Sequence, residues 1–160
     1  MDTFERDYKL YHYEIYVFLF GMTRSEQEAQ ELLQDTFMAF LQQLRAESMS
    51  AQKKRRWLYK VAKNKAINCI RRSALFSGVE APEIPDETTP EQKVTEKERL
   101  LQIQGVMKRL NQREAMILQL YSAGLNYQEM AEIMELEISS ISKTLGRAKK
   151  AFKRLYRASR

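Results

Sequence analysis

Cysteine occurs once in this chain of 160 residues, at Cys69. A single thiol excludes an internal disulfide framework and a cysteine-rich zinc site. Its helical spacing from Ala66 and Ile70 fits a buried structural thiol better than a redox sensor. Histidine also occurs once, as His12, within an aromatic stretch. The chain therefore has no metal-ligand cluster and no nucleophile–base motif, and it carries no glycine-rich phosphate loop. No catalytic residue, metal or cofactor is expected, and an enzyme acting on nucleic acid is the least favoured class. Glycine (5) and proline (3) are scarce, which favours helix throughout. The longest apolar run, Ile15 to Phe20, is far short of the roughly 20 residues that span a bilayer. Asp2, Glu5 and Asp7 replace the basic start of a signal peptide. A cytoplasmic protein with no membrane insertion is expected.

Positive charge is abundant but uneven. The net charge is +6, and it is carried by two segments. Residues 53–72 hold nine basic and no acidic residues, and the tail from Ile138 holds eight and none. Residues 1–47 are net −5 and residues 73–142 net −6. Two cationic patches on an otherwise acidic chain suggest two contacts with one polyanion.

The stretch Leu110–Arg157 is the most informative. Asn111 with Glu114, and Asn126 with Glu129, are capping-box variants that start two helices. Ile117, Leu120 and Tyr121 form the apolar face of the first, which stops at Gly124. Tyr127, Met130, Ala131 and Met134 fall on one face of the second. A longer helix follows, with Ile138, Ile141, Leu145, Ala148, Phe152 and Leu155 as its seam. Ser139, Lys143, Arg147, Lys150 and Arg154 lie on another face. A short helix, a tight turn and a longer basic helix is the helix-turn-helix layout, whose second helix enters a major groove. A solvated helical hairpin is the plain alternative, but a merely soluble face would mix charge signs.

Ahead of this, Ser73–Thr95 holds all three prolines and five acidic residues and reads as a linker. The amino-terminal part opens with a helix over Phe4–Met22, with Tyr8, Tyr11, Ile15, Phe18 and Met22 on one face. Ser25 and Glu28 cap a second helix to about Arg45, burying Ala29, Leu32, Leu33, Phe37, Phe40, Leu41 and Leu44. Its other side carries Glu28, Glu31, Gln34, Asp35, Met38 and Gln42; a solvated face and a docking surface for a basic partner are equally open. A polar loop is expected over 46–53. The cationic helix 53–72 then turns Leu58, Val61, Ala62, Ala66, Cys69 and Ile70 inward and Trp57, Lys60, Asn64, Asn68 and Arg71 outward. An aromatic, two amides and cations on one strip suit unpaired bases: the ring stacks and the amides read base edges.

At this point the chain resembles a known family, the extracytoplasmic-function (ECF) sigma factors of bacterial RNA polymerase. EAQELLQDTFMAFLQQL (28–44) is similar to the polymerase-binding region, RRWLYKVAKNKAINCIRR (55–72) to the −10 region, and residues 110–155 to the −35-reading domain. The resemblance implies an all-α fold of two small helical domains, 1–72 and 96–160, joined by a flexible linker at 73–95, the second being a helix-turn-helix. It implies that Glu28, Glu31, Leu32, Gln34, Asp35 and Phe37 dock on core RNA polymerase. Trp57, Lys60, Asn64, Asn68, Arg71 and Arg72, with loop residues near Ser48–Ser50, would capture melted −10 bases. Ser139, Ser140, Ser142, Lys143, Arg147 and Lys150 would meet the −35 duplex. It further implies promoter DNA and an anti-sigma factor as partners. The competing expectation is a stand-alone helix-turn-helix regulator. Three departures stand out: Lys54 where an aromatic is common, Glu135 in place of the frequent turn glycine, and Ser142-Lys143-Thr144 in the recognition helix.

Overall fold

The computed structural model describes residues 2–77 and 95–159, which form seven α-helices and no strand among the described residues. Helices α1 (Thr3–Thr23), α2 (Glu26–Ala46) and α3 (Ala51–Ser77) make one module. Helices α4 (Glu96–Arg109), α5 (Gln112–Ser122), α6 (Tyr127–Met134) and α7 (Ile138–Ala158) make the other. The rest of the predicted linker, residues 78–94, lies outside the described residues.

Side chains start these helices where the sequence signals them. Asn111 and Asn126 each accept from the backbone N–H three residues on, and Glu114 and Glu129 return the bond to the cap backbone. Thr95 and Glu98 form a third such box, ahead of α4. Ser25 accepts from the Glu28 N–H, satisfying one of the donors a helix start leaves open. Replacing Asn111 or Asn126 by Ala is expected to cost about 1 kcal/mol each. That lowers Tm by about 2–4 °C for a chain of this size, measurable by thermal melting.

Several expectations need correction. The loop is shorter than 46–53: α2 runs to Ala46 and α3 starts at Ala51. Met49 is buried within that four-residue loop and joins the apolar core. Helix α3 also continues to Ser77, so the first five residues of the expected linker are helical. Tyr8, Tyr121, Tyr127 and Ile138 are exposed, not core. Helix α6 is wedged between α5, α7 and α3, so it buries Ile133 as well as Met130 and Ala131. Ile138 is the first residue of α7, ahead of the seam of Ile141, Leu145 and Ala148.

The two modules are not apart. One apolar cluster runs from Ile15, Leu19 and Phe40 through Leu58 and Tyr59 to Ile117, Met130 and Leu145. Helix α1 packs on α5, and α3 on α6. At Gly21, an added Cβ would come 2.1 Å from the end of the Gln119 side chain, which would have to swing aside for any larger residue.

Candidate nucleic-acid and polymerase interfaces

Helix α7 presents its polar face to solvent. Ser139, Ser142, Lys143, Arg147 and Lys150 are exposed, and Ser140 is half-buried. Opposite them Ile141, Leu145 and Ala148 anchor the helix on α5 and α6. Among the described residues no carboxylate lies in ion-pair range of Lys143, Arg147 or Lys150. Hydroxyls and unpaired cations at one-turn spacing can reach base edges and phosphates of a duplex without disturbing the fold.

Helix α3 is arranged differently. Asn64, Asn68, Arg71 and Arg72 are exposed along its second half. Trp57 is half-buried and leans on Phe40, with ring centroids 5.7 Å apart and planes at 43°. It is thus part core and part surface, with only one portion of the indole available for stacking. Most of its cations have found carboxylates that lie outside the cationic run itself. Lys53 pairs with Glu47, and Lys54 with the buried Asp7 at 2.9 Å. The Lys54 ammonium is within ionic range, yet Asp7 Oδ2 has no aligned hydrogen-bond donor. Arg55 donates to Glu14 at 2.8 Å and to the Ala123 carbonyl at 2.7 Å. Arg56 donates to Glu132 at 2.8 Å. Lys60 and Lys63 both reach Glu135, at 3.4 and 3.6 Å. Six of the nine cations in 53–72 are therefore paired within the fold. A run of cations lacking local acids does not by itself demand an outside polyanion.

Burial and charge shift several groups. Lys63 and then Lys60 hold the Glu135 carboxyl below its ordinary value. Burial pushes the Tyr59 phenol far up, with Glu14 adding to it. Cys69, expected to be buried, is half-buried; burial still raises its thiol. Desolvation lowers Arg24, whose guanidinium donates to the Met107 and Lys108 carbonyls at the end of α4.

On α2, Glu31, Gln34, Asp35 and Met38 are exposed and Glu28 is half-buried. Leu32 and Phe37, expected in the same docking set, are buried at 7% and 3% exposure. They fall on the inward side of the helix and support the acidic face from beneath; a partner would not touch them. An apolar cleft of about 580 Å³ opens between the modules, lined by Tyr13, Val17, Ile103, Tyr121 and Phe152 among others. Lys149 sits over the Tyr121 ring at 4.2 Å on its rim.

Two family matches follow these modules. Residues 8–75 match Sigma-70 region 2 and residues 100–152 match Sigma-70, region 4. The chain is 32% identical to the ECF RNA polymerase sigma factor SigM of Bacillus subtilis, over 96% of this chain and 95% of that one. The chain belongs to the ECF sigma factors. It is also 32% identical to the B. subtilis RNA polymerase sigma factor YlaC, covering 96% of this chain and 91% of that one. The sigma factor RpoE of Bartonella quintana, solved in complex with the anti-sigma factor NepR, has the same fold. The TM-score is 0.80 over the whole of both chains, at 19% identity. Region 2 thus covers α1–α3 of this sigma factor, and region 4 covers α4–α7. Its partners as a sigma factor are core RNA polymerase and promoter DNA, and none of its described helices is long and apolar enough to cross a membrane.

Proposed function

We propose that this sigma factor divides its work among three surfaces. The exposed α2 face of Glu28, Glu31, Gln34 and Asp35 docks on core polymerase. The α3 strip of Trp57, Lys60, Asn64, Asn68, Arg71 and Arg72 captures melted −10 bases. The α7 face of Ser139, Ser140, Ser142, Lys143, Arg147 and Lys150 reads the −35 duplex. The observation that supports this most is α7 itself: a helix-turn-helix second helix whose cations have no carboxylate partner among the described residues. Trapping a flipped base costs a few kcal/mol, and stacking on a ring returns about 1–3 kcal/mol. One half-buried Trp57 cannot melt DNA unaided, so the reading assigns opening to the complex with polymerase. The protein acts in the cytoplasm as a specificity subunit and performs no catalysis of its own.

An anti-sigma factor belongs to the same reading. The apolar cleft between the modules, with Lys149 and Lys153 on its rim, fits an amphipathic helix with an acidic flank.

Run-off transcription with purified core enzyme on genomic fragments tests the proposal. Specific transcripts are expected with the wild-type chain. Asp35→Lys is expected to lose them together with co-migration on core enzyme, while binding to DNA fragments persists. A stand-alone regulator would show the opposite: tight binding to its site alone and no dependence on core.

A further inference from the structure

Five of the described helices start on a side chain that accepts a backbone N–H: Asp2, Ser25, Thr95, Asn111 and Asn126. Helix α7 does not. Its N-cap is Glu137, on extended backbone with φ −71° and ψ 149°, and the side chain makes no cap bond. Short Ser, Thr, Asp and Asn side chains reach back to the first turn; glutamate is not among the favoured caps. A carboxylate does suit the positive end of a helix dipole. Aspartate would serve dipole and cap together, so neither accounts for the longer side chain. Glu137 is exposed and, among the described residues, its side chain has neither an ion pair nor a hydrogen bond. It is also the last acid of the chain: residues 138–160 hold eight basic residues and no acidic one.

Promoter DNA supplies a partner for that carboxylate. In a helix-turn-helix the first residues of the second helix touch base edges. Glu137 stands at the head of α7, just ahead of the exposed Ser139. An ionised carboxylate only accepts hydrogen bonds. Phosphates repel it, and so do the O6 and N7 acceptors of guanine and the O4 of thymine. Of the four bases, cytosine alone presents an amino donor in the major groove with no acceptor beside it; adenine sets its amino group next to N7. We infer that Glu137 selects a base of the −35 element, a role that rests on α7 being the −35 helix. Its carboxylate accepts a hydrogen bond from the N4 amino group of a cytosine and rejects guanine and thymine at that position.

Such a residue trades affinity for selectivity. An acid weakens attraction to any phosphate chain, and only the matching base offsets that loss. Removing it therefore relaxes base choice and does not weaken binding to the other sequences. Glu137→Gln goes further, because a glutamine amide both donates and accepts and fits adenine N6 and N7. It should move the preference from cytosine to adenine. A role confined to starting the helix predicts neither change. The side chain holds no cap bond, so Glu137→Ala strands no partner and should fold. Glu137→Ser supplies the cap that α7 lacks without the reach to a base. It should melt no lower than wild type and share the base profile of Glu137→Ala.

The test uses the full chain bound to core enzyme and a promoter duplex recovered by run-off transcription. Each −35 base pair is changed in turn to the other three, and affinities are compared by competition in fluorescence anisotropy. At one position the wild type should favour cytosine over guanine and thymine by about 5- to 100-fold. Glu137→Ala and Glu137→Ser should abolish that preference, leave the other positions unchanged and bind the disfavoured duplexes no more weakly. Glu137→Gln should favour adenine at the same position. Wild-type base choice that all three variants keep, or a change spread evenly over every position, overturns the inference and leaves the −35 role of α7 standing. A wild-type profile with no base choice anywhere in the −35 element sinks both.

Discussion

Asp7→Ala is expected to destabilise the chain by about 3 kcal/mol, the cost of stranding one partner of a buried ion pair. Tm should fall by about 6–12 °C. The Asp7 side chain is 9% exposed and its partner, the Lys54 side chain, 14%. With Asp7 gone, the Lys54 ammonium stays inside the α1–α3 contact with nothing to neutralise it. Asp7→Leu combined with Lys54→Met is expected to lie within about 1 kcal/mol of wild type, because apolar replacement of a whole buried pair is often neutral. Thermal melts of the single and double variants check both statements. The pair ties the start of α3 to α1, next to the loop that carries Met49. The double variant should therefore stay folded while changing how firmly that loop is held.

The second large effect concerns the −35 face. Lys143→Glu with Arg147→Glu should reduce transcription from a −35-dependent promoter by at least about 100-fold, since each well-placed contact contributes about 1–3 kcal/mol. The salt dependence of promoter binding should become shallower by about two phosphate contacts. Association with core enzyme should not change, because these residues stand clear of α2 and of the core. A loss confined to core association would remove α7 from the DNA interface.

Most of the fold was legible because its signals are local. The Asn111 and Asn126 caps, Gly124 at positive φ and the Ile141–Leu145–Ala148 seam each follow from a few neighbouring residues. The errors arose where a distant element decides the outcome. Periodicity put Tyr127 inside and left out Ile133, because it did not know that α6 touches three helices. Lys63 is 4% exposed in the midst of a cationic run, and no local pattern predicts a buried lysine. Its burial depends on Glu135, 72 positions later in sequence and in the other module. Glu135 itself was visible as a departure from glycine, yet its reach to α3 was not. The same holds for Lys60 of the −10 strip: its residue type was readable, but the prior claim on it by Glu135 was not. Leu32 and Phe37 illustrate the reverse case, where a motif named residues that the helix turns inward.

Photo-crosslinkers placed at Asn68 and at Lys143 in the core-bound chain, on one promoter duplex, test the central claim most directly. The account predicts two adducts on the same DNA, about two helical turns apart, the upstream one from position 143 and the downstream one on unpaired bases. Adducts within a single turn of each other, or from position 143 alone, would contradict it.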